Sequence, residues 1–233
     1  MKPLYLLPRA ERELFFRAAA DALNISYAIV EKDYWVTWTL ERLFALEQLR
    51  PHLILKGGTS LSKAYGLIER FSEDVDLSLS RALLGYAQDQ DPEKAPSKKK
   101  QRALLHGLSR ACSAYVQNDL LAVLINSMAE KLGTREGWRV MPDLEAPDRQ
   151  TLLFEYPSIT PRGGYIRPLV KIEIGSRSDH WPVSEHSIQS YAKSILQDKI
   201  IENAILVRVL NAERTFWEKA TILHKEYHRP KDS

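Results

Sequence analysis

Residues 53–60 read Leu-Ile-Leu-Lys-Gly-Gly-Thr-Ser. A short apolar run that ends in this way predicts a strand, a turn and the start of a helix. Gly57 and Gly58 would let the backbone approach a ligand closely. The free N–H groups of a helix start, together with the hydroxyls of Thr59 and Ser60, suit a phosphate. The turn therefore predicts a phosphate-binding site.

Residues 72–79 read Ser-Glu-Asp-Val-Asp-Leu-Ser-Leu and alternate between polar and apolar side chains. The alternation predicts a half-buried strand with Asp74 and Asp76 on one face. Two carboxylates beside a phosphate cradle are suited to holding a divalent metal against a nucleoside triphosphate. The spacing is not that of a Walker loop, in which Gly-Lys-Ser/Thr closes the glycine run. We expect Mg²⁺ or Mn²⁺ as the cofactor and an NTP as the substrate.

The string over residues 56–77 resembles the Gly-Ser plus Asp-x-Asp arrangement of the polymerase-beta-like nucleotidyltransferases, and more specifically the AbiEii/AbiGii nucleotidyltransferase toxins. Residues 31–36 and 213–220 resemble the same family. The resemblance implies an α+β fold with a polymerase-beta-like core, in which a mixed sheet carries the carboxylates. Helices would flank this sheet at the N-terminus and at the C-terminal end. The implied activity is transfer of NMP from an NTP to an acceptor hydroxyl by the toxin of a toxin–antitoxin system.

The resemblance also implies roles for individual residues. Nucleotide-binding residues would be Lys56, Gly57, Gly58, Thr59, Ser60 and Lys63. Lys63 follows Ser60 by three residues on the same helix face, and it would neutralise phosphate charge or only stabilise the helix.

Polymerase-beta-like enzymes complete their metal site with a third carboxylate from a later strand, and Glu173 is the candidate here. The metal ligands would then be Asp74, Asp76 and Glu173. Lys171 lies two residues earlier on the same strand face, so it would either reach a phosphate or pair with Glu173. The resemblance marks Lys219, in the last helix, as a further catalytic candidate, with an exposed helix lysine as the alternative.

Composition limits the classes of protein to which the chain can belong. The chain has 233 residues, 44% hydrophobic and 27% charged, which is typical of a soluble globular protein. The net charge of +3 is too small to indicate nucleic-acid binding by itself. No signal peptide and no apolar run of ~18–20 residues is present, so we expect a cytoplasmic protein without a membrane partner. We predict a nucleotidyltransferase domain with N-terminal helices over residues 1–180 and a C-terminal helical part over 181–233, incomplete relative to the family.

Hydrophobic periodicity and turn residues divide the rest of the chain into elements. Helices are predicted over 9–22, 26–49, 103–132 (one bent helix or two), 187–196 and from Asn211 onward. Strands are predicted over 137–141, 151–156 and 165–174, with a short strand or helix approach over 204–210. Two further expectations concern side chains. Glu31, Lys32 and Asp33 would line a rim of the site, unless their helix only packs by its aromatic rings, and Phe216, Ala220 and Leu223 would form the buried stripe of the last helix.

The acceptor and partners follow from the resemblance alone. The acceptor would be RNA or protein, with tRNA as the leading candidate, and a cognate antitoxin would restrain the toxin. Two alternatives remain open: a nucleotidyltransferase acting on a small molecule such as an antibiotic, and a truncated, inactive nucleotide-binding protein. An enclosed acidic pocket would favour a small-molecule acceptor, whereas a basic surface leading to the carboxylates would favour RNA.

Overall fold

A single mixed sheet organises the computed structural model, which describes residues 2–160 and 166–229. Within these residues the sheet has seven strands: β1 Leu53–Lys56, β2 Asp74–Leu79, β3 Arg139–Pro142, β4 Thr151–Glu155, β5 Leu169–Gly175, β6 Val183–Ile188 and β7 Ile205–Leu210. Their order is β3-β4-β5-β2-β1-β7-β6. β2 pairs antiparallel with β1 and parallel with β5, so the predicted mixed sheet is confirmed.

Helices flank the sheet as predicted. They are α1 Arg9–Leu23, α2 Tyr27–Phe44, α3 Gly57–Thr59, α4 Lys98–Tyr115, α5 Leu121–Leu132, α6 Tyr191–Leu196 and α7 Ala212–Tyr227. A π-helical turn, Ser60–Ala64, continues α3, and a second one, Val116–Leu120, joins α4 to α5. Residues 98–132 therefore form one uninterrupted helical run, in which the second π-helical turn separates two α-helical parts.

The aromatic load of α2 serves the core. The ring of Trp35 is fully buried, stacks on Tyr156 at 5.5 Å between centroids and meets Phe154 edge-on at 5.9 Å. The apolar side chains of β2 and β5, such as Val75 and Ile172, are fully buried in the same core. Because side chains alternate across a strand, the polar residues of β2 and β5 lie on the opposite face of the sheet, which we call the open face.

The C-terminal part differs from the prediction. Residues 187–196 are not one helix, because β6 ends at Ile188 before α6 begins. β6 and β7 belong to the same sheet as β1, so residues after 181 are not wholly helical. Their strand character arises from the alternation of buried and exposed residues in Ile205–Leu210, which pairs with β6 along its length. The domain boundary at residue 180 stays a prediction, and the predicted start of the strand at 165 lies outside the described residues.

The predicted buried stripe of α7 is wrong. Phe216 is 60% exposed and Leu223 is 70% exposed, while Ala220 is only partly buried. Apolar spacing identifies a helix face but not what covers it, and nothing in the described part of the chain packs over this one. Within the described residues, no helix has the length and apolar character needed to cross a membrane.

Candidate functional site

The register of the sheet brings the predicted carboxylates together on the open face. Asp76 of β2 lies beside Glu173 of β5 in the parallel pairing, and Asp74 lies beside Lys171. Lys56 of β1 is the antiparallel partner of Asp76. Residues that are far apart in sequence thus form two neighbouring rows on three adjacent strands.

The glycine turn packs directly against one carboxylate. Gly57 has a φ of +74°, and a β-carbon placed on it would lie 1.9 Å from Oδ2 of Asp76. A β-carbon on Gly58 would lie 2.8 Å from Oγ of Ser72 and 3.5 Å from Nη2 of Arg70. These glycines therefore bring the backbone close to side chains of the protein itself, Asp76 and Ser72. Arg70, which no sequence motif identified as a site residue, adds a cation beside the turn.

The hydroxyls of Thr59 and Ser60 are turned into the protein. Both residues are fully buried. The Thr59 hydroxyl donates to the carbonyl oxygen of Asp74 and lies 3.0 Å from Oγ of Ser72. The Ser60 hydroxyl donates to the carbonyl oxygen of Gly57 at 2.9 Å. These bonds fix the turn against the start of β2, and a phosphate contact by either hydroxyl stays a prediction.

Lys63 is held elsewhere. Its Nζ lies 2.6 Å from Oδ1 of Asp33 on α2, and both side chains are almost fully buried. The same ammonium sits 4.9 Å from the ring centroid of Tyr191, whose N–H donates to Oδ2 of Asp33 at 2.7 Å. The structure thus gives Lys63 a buried structural partner and does not bring it to the carboxylates of β2 and β5.

The rim interpretation of Glu31, Lys32 and Asp33 is wrong, because all three are buried. Glu31 accepts from the N–H of Ile159 at 2.6 Å and from the hydroxyl of Thr160 at 2.5 Å. Lys32 donates to Glu73, the residue before Asp74. Together with the Asp33 contacts, these bonds attach α2 to three separate segments. The sequence did not predict these buried contacts, because periodicity alone assigns three consecutive charged helix residues to solvent.

The electrostatics of the open face are those of crowded carboxylates. Burial raises the pKa of Asp76 from 3.8 to about 6, and repulsion from Glu173 acts in the same direction. Burial and then Glu173 also raise the pKa of Asp74. Lys171 pairs with Glu173 at 2.5 Å between Nζ and Oε1, which raises the lysine's pKa. Of the two roles predicted for Lys171, the structure therefore shows the ion pair with Glu173.

The donor set fits a hard divalent cation in its chemistry. Carboxylate oxygens are the ligands that Mg²⁺ and Mn²⁺ prefer, and raised carboxylate pKa values indicate negative charge that a cation would balance. In residues 2–160 and 166–229, however, no group of three or more His, Cys, Asp or Glu side chains is arranged to hold a metal as it stands. Lys171 occupies one oxygen of Glu173, so the metal set of Asp74, Asp76 and Glu173 stays a prediction.

Charged residues connect α7 to the same region. Lys56 donates to the hydroxyl of Ser178 at 3.1 Å and lies 3.8 Å from Oε2 of Glu218. Glu218 in turn lies 3.8 Å from Arg214, one turn earlier on α7. Lys219 is exposed and makes no ion pair with any described residue, so its catalytic role stays a prediction.

A cleft of about 440 Å³ opens at the carboxylates. Lys56, Asp76, Lys171 and Glu173 line it. Three further acids come from the connection between β3 and β4: Asp143, Glu145 and Asp148. The sequence predicts only turns in this connection, because Pro-Asp pairs signal turns and give no information about which surface they join.

Comparison with known proteins supports the fold. The chain resembles MenT4, a nucleotidyltransferase toxin from Mycobacterium tuberculosis, with a TM-score of 0.50 and 18% sequence identity. The match covers 94% of this chain and 60% of MenT4, so the chain spans less than two thirds of that protein. A search of curated proteins finds no match. Residues 38–233 match the family described as nucleotidyl transferase AbiEii toxin, type IV toxin–antitoxin system, and the chain belongs to this family.

Proposed function

We propose that the chain is a metal-dependent nucleotidyltransferase that transfers NMP from an NTP to an acceptor hydroxyl on tRNA, as the toxin of a toxin–antitoxin pair. The observation that carries this proposal is the contact between the Gly57 turn and Asp76, with Glu173 beside Asp76 on the next strand. A backbone turn that suits a phosphate and a carboxylate pair that suits a divalent cation are thereby adjacent.

In the proposed reaction, the acceptor oxygen forms a bond to the α-phosphorus while the bond from that phosphorus to the β-phosphate oxygen breaks, and pyrophosphate leaves. The hydroxyl proton passes to the Asp76–Glu173 carboxylate pair. Asp74, Asp76 and Glu173 would hold Mg²⁺ or Mn²⁺, which supplies positive charge for the attacking and leaving oxygens. Positioning and electrostatics are sufficient for such chemistry, and no protein nucleophile is needed.

The chain's own cations would neutralise the phosphates. Lys56 and Lys171 both line the cleft beside Asp76 and Glu173. Arg70 lies beside the Gly58 backbone. We also propose that Lys219 of α7 contributes positive charge to the site. Lys63 would bind the nucleotide only after its ion pair with Asp33 opens.

Family membership supports two further elements of the proposal. A type IV toxin–antitoxin system implies a cognate antitoxin and an NTP substrate. We propose that the protein acts in the cytoplasm, where tRNA and NTPs are present together.

The test is incubation of the protein with each α-labelled NTP and Mg²⁺, with either total tRNA or total protein as acceptor. We expect label on tRNA with wild-type protein and none with Asp76→Asn. The Arg17→Gln variant, which alters an exposed residue of α1, serves as the control and should transfer normally. Label on tRNA from a folded Asp76→Asn protein would overturn the assignment.

A specific observation favours a second candidate, transfer to a cationic small molecule. The cleft holds three acids beyond the metal-binding candidates, and an acidic lining attracts cationic acceptors. The same labelling assay with cationic aminoglycosides in place of tRNA separates the two candidates. Label on the small molecule, and none on tRNA, would select this second function.

A further inference from the structure

A second, larger cleft lies where β3 and β5 begin and β4 ends. Its volume is about 1030 Å³, and α1 together with the strand ends at Arg139, Glu155 and Leu169 forms its walls. Among the described residues that line it are four arginines, Arg9, Arg12, Arg139 and Arg167, and one acid, Glu155. Since Arg139 makes two hydrogen bonds with Glu155 at 2.8 Å, the lining carries a clear excess of positive charge.

The guanidinium of Arg12 is the most informative feature of this cleft. Arg12 is only 8% exposed, and its Nε and Nη1 atoms have no hydrogen-bond partner among the described residues. The carboxylate of Glu31 attracts it electrostatically, but the backbone and hydroxyls of residues 158–160 already donate to that carboxylate. Buried charged donors without acceptors are destabilising unless a ligand supplies the acceptor. Two N–H groups of a planar guanidinium match a phosphate in particular.

Other cations lie beside Arg12 at this cleft, and they favour an anionic ligand. Arg9 donates to the carbonyl of Ile159 at 2.7 Å, which holds its guanidinium at the same cleft. Burial lowers the pKa of Arg12, and the proximity of Arg9 acts in the same direction. Arg167 is exposed and makes no ion pair with any described residue. Arg9 and Arg167 therefore add two positive charges at the cleft that no ion pair within residues 2–160 and 166–229 offsets.

The sheet register relates this cleft to the carboxylates. Arg139, Glu155 and Leu169 occupy one row across β3, β4 and β5 on the open face. Glu173 is four residues further along β5 on the same face, which corresponds to about 13 Å along the strand. Because the strand order is β5-β2-β1, the Gly57 turn approaches Asp76 from the opposite flank. The arginine cleft shares no lining residue with the predicted triphosphate site, and β2, which carries Asp74 and Asp76, lies between the two in the strand order.

We propose that the arginine cleft binds the phosphodiester backbone of the RNA strand that carries the acceptor hydroxyl. This inference rests on the proposed function and identifies residues that would bind its acceptor. Cations that come from α1, from β3 and from the segment before β5 surround the cleft on several sides, which suits several phosphates of a chain better than a single phosphate. The half-buried ring of Trp138 also lines the cleft, and aromatic rings beside basic grooves stack the bases of single strands.

The test measures binding of fluorescently labelled tRNA without NTP or Mg²⁺, so that no transfer occurs. Arg9→Gln and Arg167→Gln change exposed side chains and should leave the fold intact. Each is expected to weaken tRNA binding on the order of tenfold at low salt and to reduce the slope of log K against log salt by about 0.7–0.9 for each phosphate that the variant no longer neutralises. Arg17→Gln, also on α1 but paired with Glu13 outside the cleft, should bind tRNA like the wild type.

A separate set of readouts distinguishes this inference from the proposed function. Asp76→Asn should bind tRNA as the wild type does and fail only in transfer, while Arg9→Gln and Arg167→Gln should raise the KM for tRNA and leave the KM for NTP unchanged. If both arginine variants bind tRNA like Arg17→Gln, the arginine cleft is not an RNA site, whatever the transfer assay gives. A rise in the KM for NTP alone would likewise overturn it, since the cleft would then serve the triphosphate.

Discussion

The backbone of Gly57 lies against the carboxylate of Asp76 so closely that a β-carbon on the glycine would sit 1.9 Å from Oδ2. Glycine is required here for a second reason as well, because other residues rarely adopt its φ of +74°. The position of a candidate metal ligand therefore depends on a neighbour without a side chain.

Gly57→Ala should both destabilise the protein and abolish transfer. The left-handed backbone and the overlap with Asp76 together should lower the free energy of unfolding by about 2–5 kcal/mol. Gly85→Ala is the matched control, since Gly85 has a φ of +79° with nothing within 4 Å of a β-carbon. It should cost only about 1–2 kcal/mol and keep transfer. Urea denaturation and the labelling assay measure both effects, and equal losses in the two variants would contradict the close contact.

Asp76→Asn should change the pH dependence of stability. The folded-state pKa of Asp76 is about 6, above its ordinary value of 3.8, so the folded state holds this proton more tightly than the unfolded state. Stability of the metal-free protein should fall as the pH rises from about 4 through 6, by up to about 3 kcal/mol. Thermal denaturation with EDTA should show a smaller fall in Asp76→Asn. Parallel pH profiles for wild type and variant would contradict the raised pKa.

Added Mg²⁺ should reverse this loss in the wild type. A cation that binds the folded state stabilises it in proportion to the logarithm of its concentration. We expect Mg²⁺ to raise the Tm of wild-type protein at pH 8 and to have little effect on Asp76→Asn. An equal rise in both proteins would mean that the ion binds elsewhere.

Glu173→Gln should reduce transfer by at least about 100-fold while changing stability little. Its ion pair with Lys171 is partly exposed, and such pairs contribute only about 0–1 kcal/mol. Glu13→Gln, which removes an exposed ion pair on α1, should be similar in stability and normal in transfer. Transfer rates at several Mg²⁺ concentrations test this prediction. Full activity in Glu173→Gln would show that Glu173 has no catalytic role.

Lys63→Met should destabilise the protein by about 3–5 kcal/mol, because it leaves the buried carboxylate of Asp33 without its partner. Burial already raises the pKa of Asp33, so the loss should become smaller as the pH is lowered and that carboxyl takes up a proton. The double variant Asp33→Asn/Lys63→Met should recover most of the stability, since the amide can still accept the Tyr191 N–H. If the double variant folds but its KM for NTP rises more than about tenfold, Lys63 is a nucleotide ligand after all.

Much of the fold follows from local pattern. Alternation over residues 74–79 predicts β2, and the glycine turn predicts the strand and helix on either side of it, because burial on one face imposes a period of two and a turn needs residues that adopt its φ. The same reasoning fails for α7, where Phe216 and Leu223 have the spacing of a buried stripe but remain exposed. It also fails for Glu31, whose charge predicts exposure and which is buried because four groups of residues 158–160 donate to it.

The sequence by itself determined which chemistry the chain carries: the glycine turn, the Asp-x-Asp strand and the family to which they belong. Only the tertiary structure decided which partners those side chains meet. It placed Glu173 beside Asp76, paired Lys63 with Asp33, and gathered arginines from α1, β3 and the segment before β5 into one cleft. The physical reason is the separation along the chain over which each effect acts. Turn geometry and periodicity act over a few neighbouring residues, whereas charge pairing and sheet register join positions that are far apart along the chain.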